Sequence, residues 1–69
     1  MKANPILLQH KYTRVIELLS KSLNINLRQA MEMFYMSRTY TDMSNGISDM
    51  HCRSDEYLVE ELRLEFDND

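Results

Sequence analysis

One glycine and one proline are all the punctuation in a chain of 69 residues. Sharp reversals usually draw on these two residues, so a chain this poor in both turns mainly at helix ends. Helix is the dominant expectation, and the apolar periodicity supports it. Pro5 suits a first helical turn with Asn4 before it as N-cap. Leu8, Tyr12, Val15, Leu19 and Leu23 recur at i, i+4, i+7, i+11 and i+15, with Ile16 beside them. That is one face of a helix from about Pro5 to Ser22, with His10, Lys11, Arg14, Glu17 and Lys21 mostly opposite.

Asn24 suits a left-handed helix end and Asn26 a fresh N-cap. Leu27, Ala30, Met31 and Phe34 then mark the inner face of a second helix from about Leu27 to Ser37. Tyr40, Met43 and Ile47 predict a short third helix near Thr39–Ser44, stopped at Asn45–Gly46; a β-hairpin at that pair is the alternative. Ser54 followed by Asp55 and Glu56 is a helix start, since the hydroxyl accepts a free amide and the acids favour the positive end of the dipole. Leu58, Val59, Leu62 and Phe66 give the inner face of a fourth helix, about Asp55–Glu65. The expected fold is all-α, a single domain over 1–69 built as a small bundle of three to four short helices.

A chain this short buries only about 60% of its unfolded surface and usually needs a staple. One cysteine makes no internal disulfide, and two histidines with one cysteine do not make a zinc site, so association is the expected helper. The N-terminus lacks the apolar run of about 7–15 residues of a secretory signal, and no stretch reaches the roughly 20 of a membrane span. A cytoplasmic protein with a reduced thiol is expected. The net charge of −3 conceals an asymmetry. Six basic residues oppose two acids over 1–38, whereas seven acids oppose one arginine over 55–69. The bland reading is that the two ends attract within one bundle, or that each is a solvated face.

His51 and Cys52 are adjacent and suggest a nucleophile with its base. Neighbouring helical residues diverge by about 100°, which is the wrong geometry. A structural corner is expected instead, formed by Asp49, His51, Cys52, Ser54 and Tyr57. Cys52 would be buried, and His51 would bond a carbonyl or the Tyr57 hydroxyl. No metal-ligand spacing, phosphate-cradling glycine loop or carboxylate pair in contrasting environments is present, so no cofactor, metal, small-molecule substrate or catalytic residue is expected. A helix-turn-helix reading through Arg28 and Gln29 makes a small DNA-associated regulator the runner-up, but the chain lacks a clustered basic surface. An enzyme using His51 and Cys52 ranks third.

Methionines and tyrosines exceed what one thin core takes. Met33, Tyr35, Met36, Tyr40 and Met43 are expected on an interaction surface that meets a protein partner or a second copy. Asp55, Glu56, Glu60 and Glu61 would steer it towards a basic partner.

The stretch "SDMHCRSDEYLVEEL" resembles a family of short bacterial helical proteins of unknown function, which end in a segment like Tyr-Asp-x-Leu-His-x-x-Gly-x-x-Tyr-Ile-Val-x-Asp-Ile. His51, Tyr57, Val59, Glu61 and Leu62 stand at the matching spacing; Asp49 is one residue nearer His51 than the pattern's aspartate, and Ser54 replaces a common glycine. "AMEMFYMSRTY" is similar to the second helix of one subgroup. Members are often encoded beside an ADP-ribosyltransferase-like protein. The resemblance therefore implies a non-enzymatic, antitoxin-like partner of such an enzyme.

Overall fold

The computed structural model describes residues 5–46 and 52–67. They form four helices: α1 (Pro5–Leu23), α2 (Leu27–Tyr35), α3 (Arg38–Asn45) and α4 (Asp55–Asp67), with no strand among the described residues. The all-α bundle read from the sequence is the architecture observed.

Each described reversal has a local chemical cause. Asn24 adopts φ 55°, the left-handed conformation that ends α1. The amides of Asn24 and Ile25 then turn back to the carbonyls of Lys21 and Ser20, at 3.4 and 3.0 Å, satisfying two of the helix's last acceptors. Asn26 starts α2 with a reciprocal cap: its side chain accepts the Gln29 amide at 2.8 Å, and the Gln29 side chain accepts the Asn26 amide at 3.3 Å.

Helix α2 stops at Tyr35, two residues before the expected Ser37, because Ser37 leaves the helix to cap α3. Its hydroxyl accepts the Tyr40 amide at 3.0 Å and donates to the Phe34 carbonyl at 2.6 Å, so one buried side chain closes one helix and opens the next. Gly46, at φ 68°, ends α3 by donating to Asp42 and Met43. The Asn45–Gly46 pair is thus a helix stop and not a hairpin. Ser54 accepts the Tyr57 amide at 3.0 Å and starts α4 where expected, and the helix continues two residues past Glu65. Asn4 and Ile47 lie outside the described residues.

Helix α1 packs against both α2 and α4, and α3 bridges α2 to α4. Val15, Leu19, Phe34, Met43, Leu58 and Leu62 are fully buried in the shared core. Beside them the rings of Tyr12, Phe34, Tyr35 and Tyr40 all touch one another, with centroids 4.8–6.4 Å apart in tilted or edge-on pairs. Such pairs contribute about 0.5–1.5 kcal/mol each beyond burial alone. Burial, then the Tyr40 and Tyr35 phenols, push the Tyr12 hydroxyl above its ordinary pKa.

Two expectations are corrected here. Met43 is in the core and not on a surface, because α3 turns it inwards between α2 and α4. Leu27 and Met31 are exposed, because the face of α2 that meets the core is centred on Ala30 and Phe34. The attraction expected between the basic and acidic ends is made by Lys11 and Arg14. Lys11 donates to the Arg53 carbonyl at 2.6 Å and pairs with Asp55 at 2.6 Å, while Arg14 pairs with Asp55 at 3.1 Å.

Glu65 had no assigned role beyond belonging to an acidic helix. Its carboxylate accepts the backbone amides of Arg38 and Thr39, at 2.7 and 3.3 Å, and the Thr39 hydroxyl at 3.0 Å. A side chain from α4 thereby satisfies the first amides of α3, which a helix cannot satisfy internally. The negative charge also sits at the favourable end of the α3 dipole. Replacing Glu65 by Ala is expected to destabilise the fold by about 1–2 kcal/mol in denaturant titration, with Glu65→Gln recovering part of the loss. An unchanged midpoint in Glu65→Ala would show that the cap does not hold α3.

Candidate interaction surface

The apolar residues of α2 that miss the core fall on two sides of the helix. Leu27, Met31 and Tyr35 recur every four residues and form one stripe, each about half exposed. Met36, just past the helix end, is 84% exposed and lies about 140° around the axis from Met31. Between them stand Arg28 and Glu32, paired at 3.4 Å along the crest of the helix.

Each side opens onto its own concavity. Towards α1, Leu27 and Met31 face Thr13, Ile16 and Glu17 across an open groove of about 470 Å³, with Arg28 on its α2 rim. Towards α4, Met36 and Leu64 share an open cleft of about 780 Å³ with Arg38, Thr39, Asp42, Glu61 and Glu65. Leu64 is about half exposed. The first concavity has a mainly apolar lining, whereas acids dominate the rim of the second.

The residues expected on one broad surface are therefore distributed. Met36 is on the cleft. Tyr35 is half exposed but its ring is committed to the aromatic cluster, and Met33 and Tyr40 are half-buried against the core. Glu61 lines the cleft; Glu56 and Glu60 are exposed, with Glu60 3.5 Å from Arg63. Leu27 and Met31 were not anticipated as surface residues, and Leu64, off the inner face of α4, was not anticipated as an interaction residue. The available signal for the first two was that a nine-residue helix between two neighbours has room for only a narrow inner face.

Asp55 is not available for steering. Desolvation alone would raise its pKa, but the hydrogen bonds and charges of Lys11 and Arg14 outweigh it and hold the carboxyl below the usual aspartate value.

At the proposed corner, Asp49 and His51 lie outside the described residues. Cys52 is exposed, contrary to the expectation of a small buried residue: the segment leading to the Ser54 cap runs along the surface, tied down by its backbone through Lys11. Tyr57 is also exposed, with the Arg53 guanidinium 5.2 Å from its ring centroid. The neighbouring Glu61 carboxylate, and slight desolvation, raise the pKa of its hydroxyl against the opposing Arg53 charge.

Of the residues considered for base reading, Gln29 is engaged in the α2 cap and Arg28 in the pair with Glu32. Among the described residues no group of three His, Cys, Asp or Glu side chains is placed to hold a metal ion, and no helix is long and apolar enough to cross a membrane. Comparison with protein-family models, curated proteins and solved structures finds no match.

The Asp55 network gives an acid-sensitive stability. With its folded pKa below the ordinary value of about 3.9, the contribution of Asp55 is fully present above that value and is lost as pH falls through the depressed one. Thermal midpoints from neutral pH down to about pH 2 should show Asp55→Asn less stable than the native chain near neutrality, with the gap closing at the acid end. A gap independent of pH would mean that the ionised form is not what the network holds.

Proposed function

We propose that this chain is a non-catalytic, cytoplasmic protein-interaction module that docks a partner protein in the cleft between α3 and α4. The observation that carries the reading is the side-by-side exposure of Met36 and Leu64, ringed by Asp42 and Glu61. A large flexible apolar side chain that is 84% exposed suits a contact surface, because methionine adapts its shape to what it meets. Apolar anchors within a charged rim are the usual anatomy of such a site, the anchors supplying affinity and the rim orientation. Here the rim favours a partner with basic residues around an apolar feature, which complementary charge would steer into place.

The resemblance of the segment around His51 and Tyr57 supplies the partner class: an ADP-ribosyltransferase-like enzyme encoded beside it, with this chain as its antitoxin-like neutraliser. Glu56 and Glu60 line a different concavity, with Leu18 and Ser22 of α1, and Glu60 is paired with Arg63, so the steering charge at the cleft rests on Asp42 and Glu61.

Co-expression with an adjacent enzyme of that class, followed by tagged co-purification and a growth assay, tests the reading. The native chain should hold the enzyme and relieve its toxicity. Met36→Glu should weaken binding about tenfold or more, because an unpaired charge is costly to bury, while the folding midpoint stays within about 0.5 kcal/mol of native. Binding and protection indifferent to both Met36→Glu and Leu64→Glu would remove the cleft from the function.

A further inference from the structure

We infer that the groove between α1 and α2 is a homodimer interface, closed by the same groove of a second copy of this chain. This surface is separate from the α3–α4 cleft, and the inference does not depend on what that cleft binds. Its floor is the nearly buried Ile16, and its walls are Leu27, about half exposed, and Met31, 44% exposed. The Thr13 hydroxyl is turned back onto the Gln9 carbonyl at 3.0 Å, so it brings no unpaired donor into the groove. Closing over these groups removes apolar surface from water and leaves no polar group unsatisfied there.

The rims identify the occupant. Glu17 stands on the α1 rim and Arg28 on the α2 rim of the same short groove. Arg28 meets Glu32 of its own helix through Nε in an exposed pair, and its terminal nitrogens face outwards from that contact. A two-fold axis along the groove lays α1 of one copy over α2 of the other and keeps every residue at its own height. Glu17 then meets Arg28 of the second copy, and Arg28 meets Glu17 of the second copy. This pairing requires the two rim residues, which line one groove, to stand at similar heights within the reach of their long side chains. Opposite charges on opposite rims make the surface complementary to itself, as an isologous interface requires. A single-sign rim would have repelled its own copy.

The test uses the full chain and its two rim charges. The native protein should show concentration-dependent dimer formation by sedimentation or light scattering. Glu17→Arg and Arg28→Glu each turn two cross-copy attractions into two repulsions, and each should weaken the dimer about tenfold or more. Mixing the two single variants should restore association, because one then carries two bases and the other two acids on facing rims. The double variant Glu17→Arg/Arg28→Glu should dimerise by itself, with the pairs exchanged. Both sites are exposed, and circular dichroism of each variant should remain native. A native chain that stays monomeric up to about 1 mM, a dimer that ignores both charge reversals, or variants that fail to rescue each other would each overturn the inference. Met36→Glu should leave this dimer intact, so failure here is distinguishable from failure at the cleft.

Discussion

The fold depends on two carboxylates at the ends of one row of α4. Asp55, Leu58, Leu62 and Glu65 follow spacings of three and four and share the face that meets the rest of the bundle. The two leucines between them are fully buried. At one end Asp55 is held by Lys11 and Arg14 of α1; at the other Glu65 holds the first turn of α3. A carboxylate drawn out of water is costly unless it is ion-paired or hydrogen-bonded, and both of these are. The Asp55 oxygen that water does not reach has the Lys11 ammonium 2.6 Å away. Sliding α4 by one turn would strand both charges at once. The apolar row gives α4 its affinity for the core, and the terminal acids fix its register.

What was legible in the sequence is what is local. Asn24, Asn26, Gly46 and Ser54 act on amides or carbonyls within about one turn of themselves, so residue type and position were enough to place them. The faces of α1 and α4 were legible for a similar reason, since each helix is long enough to show a stripe. The ties that set tertiary arrangement were not. Arg14 and Asp55 are 41 residues apart and Thr39 and Glu65 are 26 apart, and neither pair leaves a periodic trace. A weaker signal did exist: an acid at a position belonging to an apolar row, as Glu65 is, asks for a donor on the neighbouring element.

Helix α2 shows why a surplus of apolar residues does not make one surface. It is nine residues long, with α1 on one side and α3 continuing from its end. Only Ala30 and Phe34 are fully buried in it. Phe34 and Tyr35 join Tyr12 and Tyr40, so rings from three helices close that end of the core. The remaining apolar side chains are divided by the exposed Arg28–Glu32 pair along the crest. Such a pair adds only a few tenths of a kcal/mol to a helix. Its larger effect here is geometric, because it keeps a charged ridge between Met31 and Met36. Met43 took the opposite course: in the sequence it looks like one more surplus methionine, but the Ser37 and Glu65 caps set the start of α3 so that it points inwards.

The ridge also separates two surfaces of different chemistry on one small molecule. The α1–α2 groove has opposite charges on its two rims, while the α3–α4 cleft sets Asp42, Glu61 and Glu65 against Arg38 and has its Glu65 already bound to α3. A surface balanced across its own groove fits a copy of itself, and a surface with a net sign does not. Pairing through the first therefore leaves the second open on each copy and related by the same two-fold axis. Such an assembly presents two acidic clefts at a fixed separation. A partner with one binding feature would fill them independently. A two-fold symmetric partner whose features match that separation would engage both, the second contact forming at the high effective concentration set by the first. The short, doubly capped α2 links the two surfaces, since it supplies a wall to one concavity and leads directly into the Met36 anchor of the other.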